Sequence, residues 1–394
     1  MKDFEAISLM EPLLVNDGER RLEDLAFELI HKSSLLAGQL NPTLRNSIGN
    51  LVRSMNCYYS NFIEGHNTHP RDIDKALAKE FSSDKKRRSL QQEALAHIEV
   101  QRLIDFADKE INPVSIEYIK WLHFEFCSRL PDDLLMVENP DTKAKIKVTP
   151  GEFRESYVQV GRHIPPSASA VENFMLRFSK AYDPSHLSKL KRILAVPCSH
   201  HRLLWIHPFY DGNGRVTRLI SHAYFKQIGI GNSLWSVSRG LARNARRYKE
   251  LLMQADEPRQ GDLDGRGNLS LKALTAFCEF FLECCIDQVE YMGSLIEPKN
   301  LLNRIEIYVE EEVRAGRLLN GSFSLLREAF LAGSFERGKA PEITGYKDRQ
   351  ARSVLSKLID SKLLISDSDK GAVRLNFPID VVERWFPKLY PDLI

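Results

Sequence analysis

The feature that most constrains the fold is the spacing of apolar residues, which recur every three or four positions through most of the chain. The segment Thr43–Glu64 shows it best, and its stripe consists of Leu44, Ile48, Leu51, Val52, Met55, Tyr59, Phe62 and Ile63. Such a stripe predicts an amphipathic helix that buries one face. Similar patterns predict helices over about Leu90–Asp108, Ser115–Arg129, Ala168–Lys180, Ser185–Trp205, Arg239–Gln254 and Ser270–Leu295. The chain is therefore expected to be mainly α.

Composition narrows the class of protein. The 394 residues are 43% hydrophobic and 27% charged, which is typical of a globular protein and long enough for two or three domains. The net charge of +2 excludes a global field that steers the chain towards nucleic acid or anionic lipid. No apolar run reaches the roughly 18 residues of a membrane span. Six scattered cysteines and an acidic N-terminus without signal-peptide features predict a reducing, cytoplasmic location without membrane attachment.

One stretch departs from the helical pattern. Lys143–Thr149 alternates apolar and polar residues, Pro150-Gly151 follows, and Phe153–Gly161 is rich in β-forming residues. Alternation around a Pro-Gly turn predicts a β-hairpin. Because an isolated hairpin is marginally stable in water, this one is expected to lie on the helical body or to hold a ligand.

The last 75 or so residues have the pattern of a separate unit. Ser324–Leu331 and Lys347–Ser361 predict helices, and Leu363–Ser366 and Val373–Asn376 predict a two-stranded wing. This order is typical of a winged helix-turn-helix. Residues 301–394 nevertheless carry 15 basic and 14 acidic residues, which is little positive excess for a DNA-binding domain.

The segment that carries chemistry is a polar, glycine-rich loop between two apolar helices, His-Pro-Phe-Tyr-Asp-Gly-Asn-Gly-Arg-Val-Thr-Arg at 207–218. Gly212 and Gly214 allow positive φ and close backbone approach, so successive N–H groups can form an anion nest at the start of the following helix. Arg215 and Arg218 are three residues apart, share a helix face and can clamp phosphate oxygens.

The same loop holds a base and a metal ligand. His207 is the one group in it that titrates near neutrality, so it can take a proton from an attacking hydroxyl. Asp211 offers a hard oxygen ligand suited to Mg²⁺ bound to phosphates. Base, metal ligand, nest and cationic clamp together indicate a nucleotide-phosphate transferase.

This loop resembles the signature of Fic-domain proteins, His-Pro-Phe-x-Asp/Glu-Gly-Asn-Gly-Arg-x-x-Arg, at every specified position. The resemblance implies a helical fold and AMPylation, the transfer of AMP from ATP to a Ser, Thr or Tyr hydroxyl of a target protein. It implies these roles: His207 as base, Asp211 as Mg²⁺ ligand, Gly212, Asn213 and Gly214 as anion hole, and Arg215 and Arg218 on the β- and γ-phosphates. A relative that phosphorylates its target has Lys in place of Gly214, which favours AMP transfer here.

Further residues match the family outside the signature. The segment from Phe153 to Pro166 is similar to the flap that covers the nucleotide, which implies contacts from Val160, Gly161, Arg162 and His163. Tyr248 and Asp256 lie where relatives carry a Tyr and an Asn near the adenosine. The resemblance implies a Fic core (43–295) with inhibitory helix (43–65) and flap (143–166). Outside it, the sequence pattern predicts an N-terminal helical extension (1–42), a connecting helix (296–320) and a winged-helix domain (321–394).

An upstream motif, Ser60-Asn-Phe-Ile-Glu64-Gly65, resembles the family's inhibitory pattern. Ser60 and Glu64 are four apart and so share one side of the predicted helix. The resemblance implies that Glu64 pairs with Arg218, so that ATP binds with its α-phosphate misplaced for attack. His66 and His69 have the spacing of a metal pair, but no third ligand is evident in the sequence.

Two alternatives stay open at this point. The same pocket can remove AMP from a modified protein if Glu64 orients a water molecule. The C-terminal unit can instead make the protein a DNA-binding regulator, with a small patch of Lys347, Arg349 and Arg352. Expected partners are a target protein with an acceptor hydroxyl, the chain itself in self-modification, a DNA or protein partner of the winged helix, and a second copy in a homodimer. The sequence does not identify the target or the signal that relieves inhibition.

Overall fold

The computed structural model describes residues 5–107, 112–138, 143–368 and 370–390. It is mainly α-helical with a β-hairpin, as predicted. The helices in chain order are α1 (Arg20–Gly38), α2 (Pro42–Ile63), α3 (Pro70–Leu77), α4 (Lys85–Asp105), α5 (Ile116–Cys127), α6 (Val171–Tyr182), α7 (Lys189–Ile206), α8 (Asn213–Gln227), α9 (Val237–Arg243), α10 (Ala245–Asp256), α11 (Leu271–Ile296), α12 (Pro298–Arg314), α13 (Ser322–Ala332), α14 (Ala340–Thr344), α15 (Asp348–Asp360) and α16 (Ile379–Trp385). Among these described helices, none combines the length and hydropathy needed to cross a bilayer.

The chain divides into two compact units. The first comprises Met1–Ser33 and Asn56–Gln288, and the second comprises Ser34–Met55 and Val289–Ile394. This partition by packing cuts through helix α2, whose apolar first half lies in the second unit and whose last turns lie in the first. The domain boundaries expected from the sequence are a different division of the chain and stay predictions.

The core of the first unit explains why the signature loop has a defined position. Phe174 and Phe178 of α6, Tyr224 of α8 and Phe281 of α11 have no exposed surface. Burying one such side chain stabilises the fold by about 1.5–3 kcal/mol, and truncating Phe281 to Ala would cost about 3–5 kcal/mol. Because α7 and α8 are buried along most of their length, the loop that joins them is held at both ends.

The β-hairpin has a different partner strand from the predicted one. Strand β1 (Met136–Glu138) pairs antiparallel with β2 (Lys145–Lys147). The prediction had paired Lys143–Thr149 with Phe153–Gly161 across Pro150-Gly151, and that pairing is wrong. The strand at 145–147 was predicted correctly, but it pairs with residues that precede it in the chain.

The physical reason lies in Arg154, which is 2% exposed. Its Nε donates to the carbonyl oxygen of His207 at 2.8 Å, and its backbone N–H donates to the carbonyl oxygen of Pro208 at 2.9 Å. These bonds tie the segment to the signature loop instead of to a neighbouring strand. Within it, Val160 and His163 form an isolated antiparallel bridge.

The carboxyl-terminal residues of the second unit carry a small sheet. Strands β3 (Ser334–Phe335), β4 (Leu364–Ile365) and β5 (Val373–Leu375) are antiparallel in the order β3-β5-β4. Helices α13 and α15 and strands β4 and β5 lie where the sequence predicted helices and a hairpin. The sequence analysis did not predict β3, α14 or α16, which are two, five and seven residues long and too short for periodicity to show. The assignment as a winged helix-turn-helix stays a prediction.

Candidate functional site

Two residues with left-handed backbone conformation and one side-chain amide shape the loop between α7 and α8. His207 ends α7 with φ of 49°, and Gly212 precedes α8 with φ of 78°. Asn213 is 3% exposed; its Oδ1 accepts from the Phe209 N–H at 3.0 Å and its Nδ2 donates to the Phe209 carbonyl at 2.8 Å. The Asn213 side chain therefore closes the loop, and the first backbone N–H groups of α8 stay available to an anion.

The carboxylate of Glu64 lies against this helix N-terminus. A Cβ built on Gly214 would overlap Glu64 Oε1, so only glycine leaves room for the carboxylate at this place. The positive end of the α8 dipole favours an anion there. Glu64 thus stands where the sequence predicted that a phosphate binds.

Arg218 holds the same carboxylate from the side. Its Nη2 donates to Glu64 Oε1 at 2.6 Å and to the carbonyl oxygen of Ser60 at 2.9 Å, and its Nε donates to Ser60 Oγ at 2.9 Å. The predicted pair of Glu64 and Arg218 is therefore brought together, and Ser60 contacts the same guanidinium. Burial alone would raise the pKa of Glu64, but Arg218 and Arg215 outweigh it and hold that pKa below its usual range, so Glu64 is ionised at neutral pH.

Arg215 points elsewhere. Its Nη1 donates to Glu93, and its Nη2 lies 3.2 Å from both carboxylate oxygens of Asp211. Burial lowers the pKa of Arg215 to about 10, which leaves it protonated at neutral pH. Both terminal nitrogens of its guanidinium are occupied by carboxylates, in contrast to the phosphate contact that the resemblance implied.

The candidate metal ligand is the partly exposed carboxylate of Asp211. Its Oδ1 accepts from the Gly212 N–H at 2.6 Å, and 44% of the side chain is exposed. Partial burial of the carboxylate raises the pKa of Asp211. Among the described residues, no group of three His, Cys, Asp or Glu could hold a metal ion. Asp211 could therefore hold Mg²⁺ only together with phosphate oxygens and water, which is how Mg²⁺ commonly binds in nucleotide enzymes.

The candidate base is unprotonated in this environment. Burial, with the nearby charge of Arg154, lowers the pKa of His207 to about 4. The imidazole is neutral at pH 7 and can accept a proton.

A cavity of about 610 Å³ lies beside His207, Gly214 and the Glu64–Arg218 pair. Of the residues predicted to contact the nucleotide or to act on it, those that line the cavity are Glu64, Val160, Gly161, His163, His207, Gly214, Arg218, Tyr248 and Asp256. Arg162 lines an adjoining depression with His163 and Asp256. Arg215, Asp211, Gly212 and Asn213 are not among the lining residues. The volume is in the range of small-molecule sites.

The wall formed by α10 is held by two buried histidines. The Tyr248 hydroxyl lies 2.7 Å from His200 Nε2, and Asp256 Oδ1 lies 3.2 Å from His201 Nε2. The Tyr248 hydroxyl is therefore engaged inside the protein. Asp256 keeps 22% of its side chain exposed, and it lines the cavity.

Two residues that no sequence pattern indicated, His123 and Glu93, support the loop. The His123 ring stacks on Phe209 with centroids 3.8 Å apart; its Nδ1 accepts from the Gly151 N–H at 2.8 Å, and its Nε2 lies 3.2 Å from the Asp211 carbonyl oxygen. Glu93 has no exposed surface and pairs with Arg215. Each is a polar residue on the buried face of a helix, and that position was the available signal.

Part of the chain, including the signature loop, is similar to a known protein family. Residues 113–225 match the model of the Fic/DOC family. The protein adenylyltransferases Fic of Drosophila erecta and Drosophila melanogaster are each 39% identical over 79 residues, which cover 20% of this chain and 16% of those relatives. The match thus spans about a sixth of the length of the curated relatives.

Solved structures support the fold. A Fic family protein from Desulfovibrio desulfuricans is 17% identical, with a TM-score of 0.53 over 92% of this chain and 97% of that one. Fic-1 from C. elegans is 18% identical, with a TM-score of 0.51 over 70% of this chain and 72% of that one. At these identities the likeness establishes a shared helical fold and leaves the activity to be argued from the site.

Proposed function

We propose that the Fic/DOC-family domain of this chain is a protein adenylyltransferase that Glu64 holds in a self-inhibited state. The observation that carries the proposal is the position of one carboxylate: Glu64 lies at once against Gly214, at the N-terminus of α8, and on Arg218. A nest and a guanidinium that converge on one anion are the parts that bind a nucleotide triphosphate tail. The relationship to Fic adenylyltransferases selects AMP as the transferred group.

The proposed chemistry uses the neutral imidazole of His207. It takes the proton of an acceptor Ser, Thr or Tyr hydroxyl while the hydroxyl oxygen bonds to the α-phosphorus of ATP. The bond from that phosphorus to the oxygen bridging to the β-phosphate breaks, and pyrophosphate leaves. Mg²⁺ next to Asp211, when bound, neutralises phosphate charge.

Inhibition follows from charge competition. The guanidinium of Arg218 is a cation that is 2% exposed, so it needs one anionic partner. Glu64 and a γ-phosphate cannot share that place, because two like charges about 4 Å apart repel by roughly 4 kcal/mol at an effective dielectric of about 20. With Glu64 present, the triphosphate is displaced and the α-phosphorus is misplaced for attack.

The test is incorporation of labelled AMP from ATP, measured by mass spectrometry and autoradiography on the chain itself and on a cell lysate. We expect weak labelling by wild type, strong labelling by Glu64→Gly and none by Glu64→Gly/His207→Ala. A folded Glu64→Gly chain that binds ATP but labels nothing in either sample would contradict the proposed activity.

A second candidate is removal of AMP from a modified protein. It is favoured by the ionised state of Glu64 in the cavity that His207 also lines, since a carboxylate there can orient a water molecule. The discriminating sample is protein already labelled by the Glu64→Gly variant. Release of AMP by wild type but not by Glu64→Gly would support hydrolysis as the main activity.

A further inference from the structure

A chain of four polar side chains lies outside the cavity, and its two central members, Glu93 and Arg215, are buried. Glu93 of α4 accepts from Arg215 Nη1 through Oε1, and its Oε2 lies 2.7 Å from His66 Nδ1. Arg215 Nη2 then reaches Asp211 at 3.2 Å. The order His66, Glu93, Arg215, Asp211 connects the segment just after the inhibitory Glu64 with the candidate metal ligand.

Burial makes this chain energetically important. Glu93 has no exposed surface and Arg215 has 4%. A buried charge is tolerated only when it is paired, and removing one partner of a buried pair commonly costs about 3–5 kcal/mol. Phe126 lies 5.3 Å from the Arg215 guanidinium and further restricts its position. The Arg215 side chain is therefore held in place by its protein partners.

The geometry defines what Arg215 does to Asp211. The two carboxylates share one guanidinium, Glu93 through Nη1 and Asp211 through Nη2. Each Arg215–Asp211 distance of 3.2 Å is long for a charge-assisted hydrogen bond, which is typically about 2.7–2.9 Å. Asp211 is thus oriented by Arg215 but not neutralised by it.

We infer that Glu93 is a positioning residue, which draws the charge of Arg215 away from Asp211 and thereby keeps the Asp211 carboxylate available to a divalent cation. This inference rests on the proposed function, because Asp211 is a metal ligand only in that scheme. It assigns Arg215 to the support of Asp211 in place of a phosphate contact. It also explains an acid on the buried face of α4.

The inference has a defined electrostatic consequence. In Glu93→Gln the amide oxygen can still accept from Arg215, but the counter-charge is gone. Asp211 becomes the nearest carboxylate to a full positive charge, so a cation must compete with Arg215 for it. We expect the affinity for a divalent cation in the nucleotide complex to fall about tenfold. Glu93→Asp keeps the charge but withdraws it by one methylene, and we expect a loss of about threefold.

The measured quantity is the affinity of the full chain for Mn²⁺ in the presence of ADP. Electron paramagnetic resonance detects the bound ion, and no turnover is needed. The Glu64→Gly background is used throughout so that the phosphates reach the nest. The matched control is Asp72→Asn, which removes the charge of a 5%-exposed aspartate that is bonded to Arg87 at 2.6 and 2.7 Å, distant in sequence from the signature loop. Thermal unfolding of each variant records the loss of stability separately.

The outcomes are distinguishable. Weaker Mn²⁺ binding in Glu93→Gln, smaller weakening in Glu93→Asp and none in Asp72→Asn support the inference. If Glu93→Gln does not fold, Glu93→Asp decides alone. Unchanged Mn²⁺ affinity in either folded Glu93 variant overturns it and leaves the proposed function intact. Failure of the Glu64→Gly parent itself to bind Mn²⁺ with ADP overturns both.

Discussion

Replacement of Glu64 by Gly removes one partner of the contact with Arg218 and leaves His207, Asp211 and the nest unchanged. The lost bond is charge-assisted and 2.6 Å long, and such bonds contribute about 1.5–3 kcal/mol. The Glu64 side chain is 32% exposed, so solvent screening favours the lower half of that range. Because 1.4 kcal/mol corresponds to a factor of ten, we expect AMP transfer to rise at least tenfold.

Two further variants test separately the charge of Glu64 and the hydrogen bond from the Ser60 hydroxyl. Glu64→Gln keeps the shape of the side chain and loses the charge, so we expect an intermediate rise. Ser60→Ala removes the bond from Arg218 Nε but leaves the Ser60 carbonyl in place, and we expect a rise of a few-fold at most.

The assay is the initial rate of labelled-AMP incorporation at matched protein concentration, with Glu64→Gly/His207→Ala as the background. ATP affinity is measured in parallel by calorimetry. Equal rates for wild type and Glu64→Gly would refute the inhibitory role. A rise for Ser60→Ala that equals the rise for Glu64→Gly would show that helix α2, and not the carboxylate, is the inhibitory element.

Three further predictions concern the same loop. His207→Ala should abolish AMP transfer and retain ATP binding. Because burial lowers the pKa of His207 to about 4, kcat/KM of the Glu64→Gly variant should stay constant from pH 8 to 6 and fall only as the pH approaches about 4. A fall centred near pH 6.5 would contradict that. Asp211→Ala should need at least tenfold more Mg²⁺, and full wild-type activity in excess chelator would exclude the metal role. Gly214→Ala should lower the thermal unfolding midpoint in wild type, where the new Cβ meets Glu64, and should lower it less in Glu64→Gly; equal losses in the two backgrounds would show that Glu64 does not fill this space.

The sequence by itself determined the helical class and the residues of the signature loop. A helix that buries one face has apolar residues every three to four positions, so this pattern can be recognised in the sequence without knowledge of the packing partners. Ser60 and Glu64 are four residues apart, and that spacing is enough to place both within reach of one guanidinium. Gly212 likewise acts through local backbone geometry, because its φ is 78°, whereas Gly214 lies inside α8 and makes room for Glu64.

Tertiary structure decided which groups the charged side chains meet. Arg215 and Arg218 share a helix face in sequence, yet one is paired with Glu93 of α4 and the other with Glu64. The strand at 145–147 pairs with residues 136–138 because Arg154 ties the alternative partner to the signature loop. The ion pairs of Arg215 and Arg218 join residues more than a hundred positions apart in the chain. They depend on how the helices pack, and no local sequence pattern encodes them. That is why the sequence could identify the residues of the loop, whereas the pairing of Arg215 with the buried Glu93 became visible only in the fold.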